Sequence, residues 1–353
     1  MTRWALVVPL AAAAVLGVAI AIPPGGVLGT LCAIALVASV LASVHHAEVV
    51  AHRVGEPLGT LVLALAITVI EVALIVSVMR GGGEHAELAR DTLFSAIMII
   101  CNGVLGLCLL LGGLKHHEQS FQVEGANAAL SALIALSTLS LVLPGFTVTA
   151  PGPYYTQGQL LFAAVASLVI WCVFVFVQTV RHRDYFLPPQ SADAEEHAPP
   201  PSRAQALVSF ALLAVALVAV VGLAKVLSPF IERAVDAAGA PRSVIGIAIA
   251  LLVLLPETWA ALRSALANRL QTSFNLALGS ALASIGLTIP VVAAVSLWLK
   301  VPLALGLGPK DIVLLALTGL ITTITLASGR TNIMQGAVHL VVFGVFLLLA
   351  LVP

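Results

Sequence analysis

Long apolar runs recur along the chain, separated by short polar punctuation. Each is near the length of about 20 residues that a helix needs to cross a hydrocarbon core of about 30 Å. Read with a window of about 19 residues, the runs fall at 4–22, 27–44, 57–79, 91–113, 124–144, 158–180, 205–227, 243–266, 273–299, 310–327 and 332–352. The pattern predicts an all-α integral membrane protein of about eleven transmembrane helices. No run alternates with period two, so a β-barrel is not expected. The first run follows Arg3 and is longer than the roughly 7–15-residue core of a signal peptide. It therefore reads as an uncleaved span, set off from the second by Pro23, Pro24, Gly25 and Gly26.

One stretch breaks the pattern. Residues 181–203, RHRDYFLPPQSADAEEHAPPPSR, are proline-rich and charged and read as a flexible linker. The predicted organisation is an extra N-terminal helix (1–24), five helices (25–180), a hydrophilic linker (181–204) and five more helices (205–353).

Composition agrees with lipid as the surrounding medium: 60% of the residues are hydrophobic and 9% charged, where a soluble domain carries about 25% charge. The 16 basic and 16 acidic residues cancel, so no basic surface for nucleic acid is implied. Cys32, Cys101, Cys108 and Cys172 lie in apolar runs without a CxxC pair and read as small buried hydrophobes. GxSxG and HExxH are absent, so neither an enzyme nor a resident cofactor is expected.

The two groups of five resemble one another. ITVIEVALIVSVM (67–79) and VLLPETWAALRSAL (253–266) each place one glutamate, Glu71 or Glu257, deep in an apolar helix. In the next helices, DTLFSAIMIICNGVLGL (91–107) lies on QTSFNLALGSALASIGL (271–287), with Thr, Phe, Gly and Leu coinciding at one offset. Five helices cross the membrane an odd number of times, so the second copy begins on the opposite side. Such inverted repeats place an ion site at the midplane.

A carboxylate at mid-membrane costs roughly 2.5–3.5 kcal/mol on insertion scales. On these helices Arg80 and Arg263 sit toward the ends. A bound cation or a proton would offset the cost, because desolvation favours the protonated acid and a cation favours the carboxylate. A group that alternates between the two is the minimum for antiport. Two carboxylates match one divalent ion or two protons, and Ca²⁺ takes six to eight oxygens. Candidate ligands are Thr68, one turn before Glu71, Asn102, Ser280 and Ser284, with Thr258, Asn275 and carbonyls freed around Pro256 in reserve. Packing or back-bonding to the i−4 carbonyl is the alternative for each small polar residue. Gly279 suggests a close helix approach. His45, His46 and His52, with Glu48 and Glu56, and the run Lys115–Gln119 read as solvated loops, with proton sensing as the sharper alternative. His339 reads as a satisfied packing residue.

GEPLGTLVLALAITVIEVALI, ARDTLFSAIMIICNGVLGLCLLLGGLKHHEQSF, LLPETWAALRSALANRLQTSFNLALGSALASIGLTIP and GRTNIMQGAVHLVVF together resemble the Ca²⁺/cation antiporter superfamily, specifically its bacterial calcium/proton exchanger branch. The resemblance runs from about residue 27 onward. It implies two inverted five-helix repeats preceded by an extra helix, with Glu71 and Glu257 as the acidic pair of the cation site. It implies Asn102 as the polar position of the first repeat, and Ser284 as its counterpart when counted from Gly279-Ser280. The expectation is a multi-pass protein of a bacterial plasma membrane that exchanges Ca²⁺, or alternatively Na⁺ or K⁺, for H⁺. Few polar groups accompany the acids on the second repeat, which favours proton over sodium coupling. A passive cation channel is the rival reading.

Overall fold

The computed structural model describes residues 3–22, 25–55, 66, 68–73, 75–76, 86–187, 201–237, 239, 241 and 243–352. The Pro23-Pro24 break, Glu56, Arg80, the Gly81–Gly83 loop and the linker core 188–200 lie outside them. Among the described residues ten helices are long and apolar enough to span a membrane. In chain order they are α1 (Arg3–Ala21), α2 (Gly26–Val54), α4 (Leu88–His116), α5 (Val123–Gly145), α6 (Gln157–Arg181), α7 (Arg203–Ala237), α8 (Ser243–Leu266), α9 (Leu270–Leu299), α10 (Pro309–Ala327) and α11 (Ile333–Leu351). The third predicted span, α3, is described as helix over 68–73.

The helices form two compact units, Met1–Leu88 with Glu196–Val253, and Ala89–Glu195 with Leu254–Pro353. The units are not the repeats. Each group of five gives its leading part to the first unit and the remainder to the second.

In the first unit, α1, α2 and α7 pack on one another. On α1, Ala5, Pro9, Ala12, Leu16 and Ala19 are buried. This stripe of three- and four-residue steps turns one face to protein and leaves Val7, Leu10 and Ile20 outward. Leu16 fills the space that a side chain at Gly222 would need. Ser39 Oγ donates to the Ala216 carbonyl at 3.1 Å, and His46 Nε2 lies 2.8 Å from the Ala5 carbonyl. At about 1.5 Å per residue, α2 with 29 residues and α7 with 35 exceed the roughly 30 Å of a hydrocarbon core. Their polar ends belong to the helices. His45, His46 and His52 therefore lie within α2 rather than in a loop.

In the second unit the repeat is visible as packing. The third helix of each group lies on the fifth helix of the other, α4 on α11 and α9 on α6. The glycines that the sequence aligned mark both contacts. A Cβ at Gly106 would meet Leu340 Cγ at 3.0 Å, and one at Gly286 would meet Trp171 Cβ at 2.6 Å. Gly279, by contrast, has nothing within 4 Å among the described residues. The close approach on α9 belongs to Gly286. The repeat is imperfect: α4 carries a π-helical turn at Ile99–Val104, while α9 is α-helical throughout.

The first residues of the expected linker are folded. Arg183–Phe186 form a short 3₁₀ turn, Phe186 packs edge-on against Phe174 at 5.8 Å, and its carbonyl accepts from Asn275 Nδ2 at 2.6 Å. Cys32, Cys101 and Cys108 are buried free thiols, whereas Cys172 is exposed on α6.

Candidate cation site

Glu71 belongs to the first unit. It is 2% exposed, and Thr68, one turn earlier on the same helical face, is 5% exposed. Ile70 and Ile75 are buried beside them, while Val69 turns outward. The acid and the hydroxyl thus both lie on the protein-facing side of α3.

The other candidates belong to the second unit. Glu257 is half-buried on α8, flanked by the outward-facing Leu255 and Trp259. Pro256 lies inside this helix. Lacking an N–H, it leaves the Leu252 carbonyl without its usual donor one turn before the acid. Thr258 Oγ1 donates to the Leu254 carbonyl at 2.7 Å, which is the back-bonding alternative. On α9, Ser284 is buried and Ser280 half-buried. Asn275 is held in a tether, donating to the Phe186 carbonyl and accepting from Gln271 Nε2 at 3.0 Å.

Asn102 is fully buried within the π turn of α4, which α9 contacts. Its Nδ2 donates to Thr318 Oγ1 at 2.9 Å, and its Oδ1 lies 3.3 Å from His339 Nδ1. The glycine-marked packing of α4 and α9 aligns Asn102 with Leu282, two residues before Ser284. The second unit therefore packs the π turn that carries Asn102 against the serine-bearing helix, while the Asn102 side chain itself bonds to α10 and α11, and the two repeats are not chemically equal there.

The run Lys115–Gln119 does more than link helices. Lys115 Nζ donates to the Leu266 carbonyl at 2.9 Å and Gln119 Nε2 to the Ala265 carbonyl at 2.9 Å. His116 Nε2 lies 3.0 Å from the Leu266 oxygen. These side chains meet the last carbonyls of the Glu257 helix, where a cation is also favourable to the helix dipole. Gln119 and Ser120 pair antiparallel with Thr331 and Arg330, and a capping box at Asn332 and Gln335 starts α11. Sequence reading missed this cap because partners about 150 residues apart leave no local signal. Gln119→Ala is expected to destabilise the protein by about 1–2 kcal/mol, read as a lower unfolding temperature in detergent. An unchanged temperature would deny the cap a structural role.

Ten helices long and apolar enough to cross a membrane among the described residues, with the third helix of each group packed on the fifth helix of the other, are the architecture of a multi-pass membrane protein built on a repeat. Comparison with known proteins places it more closely. The sodium/calcium exchanger protein family matches residues 24–180 and 208–352, and the chain belongs to that family. Its members are exchangers, not enzymes. The Sinorhizobium fredii protein y4hA is 49% identical, covering 99% of this chain and 96% of its own length. The sodium-potassium/proton antiporter ChaA of Escherichia coli is 36% identical over 90% of this chain and 87% of its own. The solved structure of native YfkE superposes with a TM-score of 0.75 at 17% identity, covering 99% of this chain and 100% of that one. The fold is thus that of an all-α, multi-pass membrane exchanger, with an extra N-terminal helix and two inverted five-helix repeats.

Proposed function

We propose that the protein is a secondary active antiporter of a bacterial plasma membrane that exchanges Ca²⁺ for H⁺, with Glu71 and Glu257 binding the cation and the protons in turn. The observation that carries this reading is the pair of glutamates, one per repeat, at matching places in otherwise apolar helices. Two carboxylates balance the charge of one Ca²⁺ or two H⁺. In this reading the neutral oxygens of Thr68, Asn102, Ser280 and Ser284, with backbone carbonyls around Pro256, complete the shell. Alternating access comes from movement of one part of the bundle against the other.

A second reading, Na⁺ or K⁺ for H⁺ at the same site, is favoured by the 36% identity to a sodium-potassium/proton antiporter. The Ca²⁺/H⁺ antiporter of Aphanothece halophytica is 26% identical over 84% of this chain and 82% of its own.

Inverted membrane vesicles separate the two. After respiration acidifies the lumen, Ca²⁺, Na⁺ or K⁺ is added and collapse of the pH gradient is followed across pH. The first reading predicts collapse by Ca²⁺ at the lowest concentration. It also predicts an apparent KM that falls as pH rises, by up to about 100-fold per unit where two protons compete with one ion. Collapse by Na⁺ or K⁺ alone selects the second reading, and collapse by none of them contradicts both. Cation flux without proton movement would identify a passive channel.

A further inference from the structure

A buried polar chain lies where α4, α10 and α11 meet, all within the second unit. Thr325 Oγ1 stands 3.1 Å from His339 Nε2, and His339 Nδ1 stands 3.3 Å from Asn102 Oδ1. Asn102 Nδ2 is 2.9 Å from Thr318 Oγ1, which is 3.4 Å from Met98 Sδ. The direction of the bonds follows from what each atom can do. The thioether only accepts, so the Thr318 hydroxyl donates to it and its oxygen accepts from the amide nitrogen. The amide oxygen accepts from Nδ1–H, and Nε2 then accepts from the Thr325 hydroxyl. All five side chains are buried, and a polar group that loses its partner there costs several kcal/mol. The chain therefore holds the Asn102 amide in one orientation, with one lone pair of Oδ1 left over.

We propose that His339 and Thr318 are positioning residues of the cation site, fixing the Asn102 amide so that α10 and α11 set the affinity for the ion. This rests on the reading that Asn102 contributes to that site. Supporting shells of this kind change metal affinity about 10–100-fold when removed.

The test measures the Ca²⁺ dependence of gradient collapse in inverted vesicles, with K⁺ in parallel. His339→Leu is expected to raise the apparent KM about 10–100-fold while Vmax stays within about threefold. Thr318→Val should do the same, and Thr318→Ser, which keeps the hydroxyl, should restore the native KM. In an Asn102→Ala background His339→Leu should add no further shift, because both act through one amide. An unchanged KM in the single variants, or effects that multiply in the Asn102→Ala background, overturns the proposal. If His339→Leu fails to accumulate, the Thr318 pair decides in the same way. Exchange that survives Glu71→Gln and Glu257→Gln defeats the underlying antiport reading. Loss of exchange there, with native KM in the His339 and Thr318 variants, defeats this inference alone.

Discussion

Glu71→Gln and Glu257→Gln are each expected to lower cation-driven proton movement by at least about 100-fold, on the order of 3 kcal/mol in the rate. Glutamine matches the size of glutamate and keeps a polar oxygen, so the helices can pack as before. It can neither carry the negative charge that holds a cation nor take up and release a proton. The substitution removes the cycle and spares the fold. Taking an acid out of hydrocarbon also removes an insertion cost. The unfolding temperature in detergent is therefore expected to hold or rise as transport is lost. Glu71 is the more enclosed of the two, and the larger rise in stability is expected there. A fall in stability that tracks the loss of transport would instead assign the glutamates a structural role.

The second large effect is on the fold. Gly336 lets α11 meet α4 backbone to backbone: a Cβ there would overlap the Leu110 amide nitrogen and stand 2.9 Å from the Gly106 carbonyl. Backbone atoms cannot turn aside as a flexible side chain can. Gly113, whose Cβ would meet the Ile333 nitrogen at 2.9 Å, continues the same seam. Gly336→Val is expected to destabilise the protein by about 3 kcal/mol or more and to reduce its yield in membranes. Gly344→Ala, on the same helix with nothing within 4 Å, should leave yield and unfolding temperature unchanged or slightly raised. Equal tolerance of both would mean that α11 does not depend on close approach.

Much of the architecture could be read from hydropathy alone, because in lipid a helix must be apolar over about 20 residues and satisfy its own backbone. All ten spans among the described residues overlap predicted runs. Glu71 and Glu257 stood out for the same reason, as acids where acids are expensive. Hydropathy is blind past the lipid boundary. It cut α2 at Val44 and α7 at Leu227, where polar residues begin, although both helices continue through them. It also cannot say which small residue faces a neighbour. Gly279 and Gly286 look alike in sequence, and only the position of Trp171 distinguishes them. The surroundings of Asn102 were out of reach for a related reason. Its partners, Thr318 and His339, lie more than 200 residues away, and no periodicity encodes that distance. His339 was legible as a satisfied buried residue, but what satisfies it was not.

If cations and protons compete for the same two carboxyl groups, cation binding must release protons. Purified protein in detergent, in a weakly buffered solution, is titrated with Ca²⁺, Na⁺ and K⁺ while the pH is recorded. Acidification by the transported cation is expected, saturating with its binding and absent when Glu71→Gln and Glu257→Gln are combined. Equal acidification by the doubly substituted protein, or saturable cation binding that releases no proton from the native one, would contradict it.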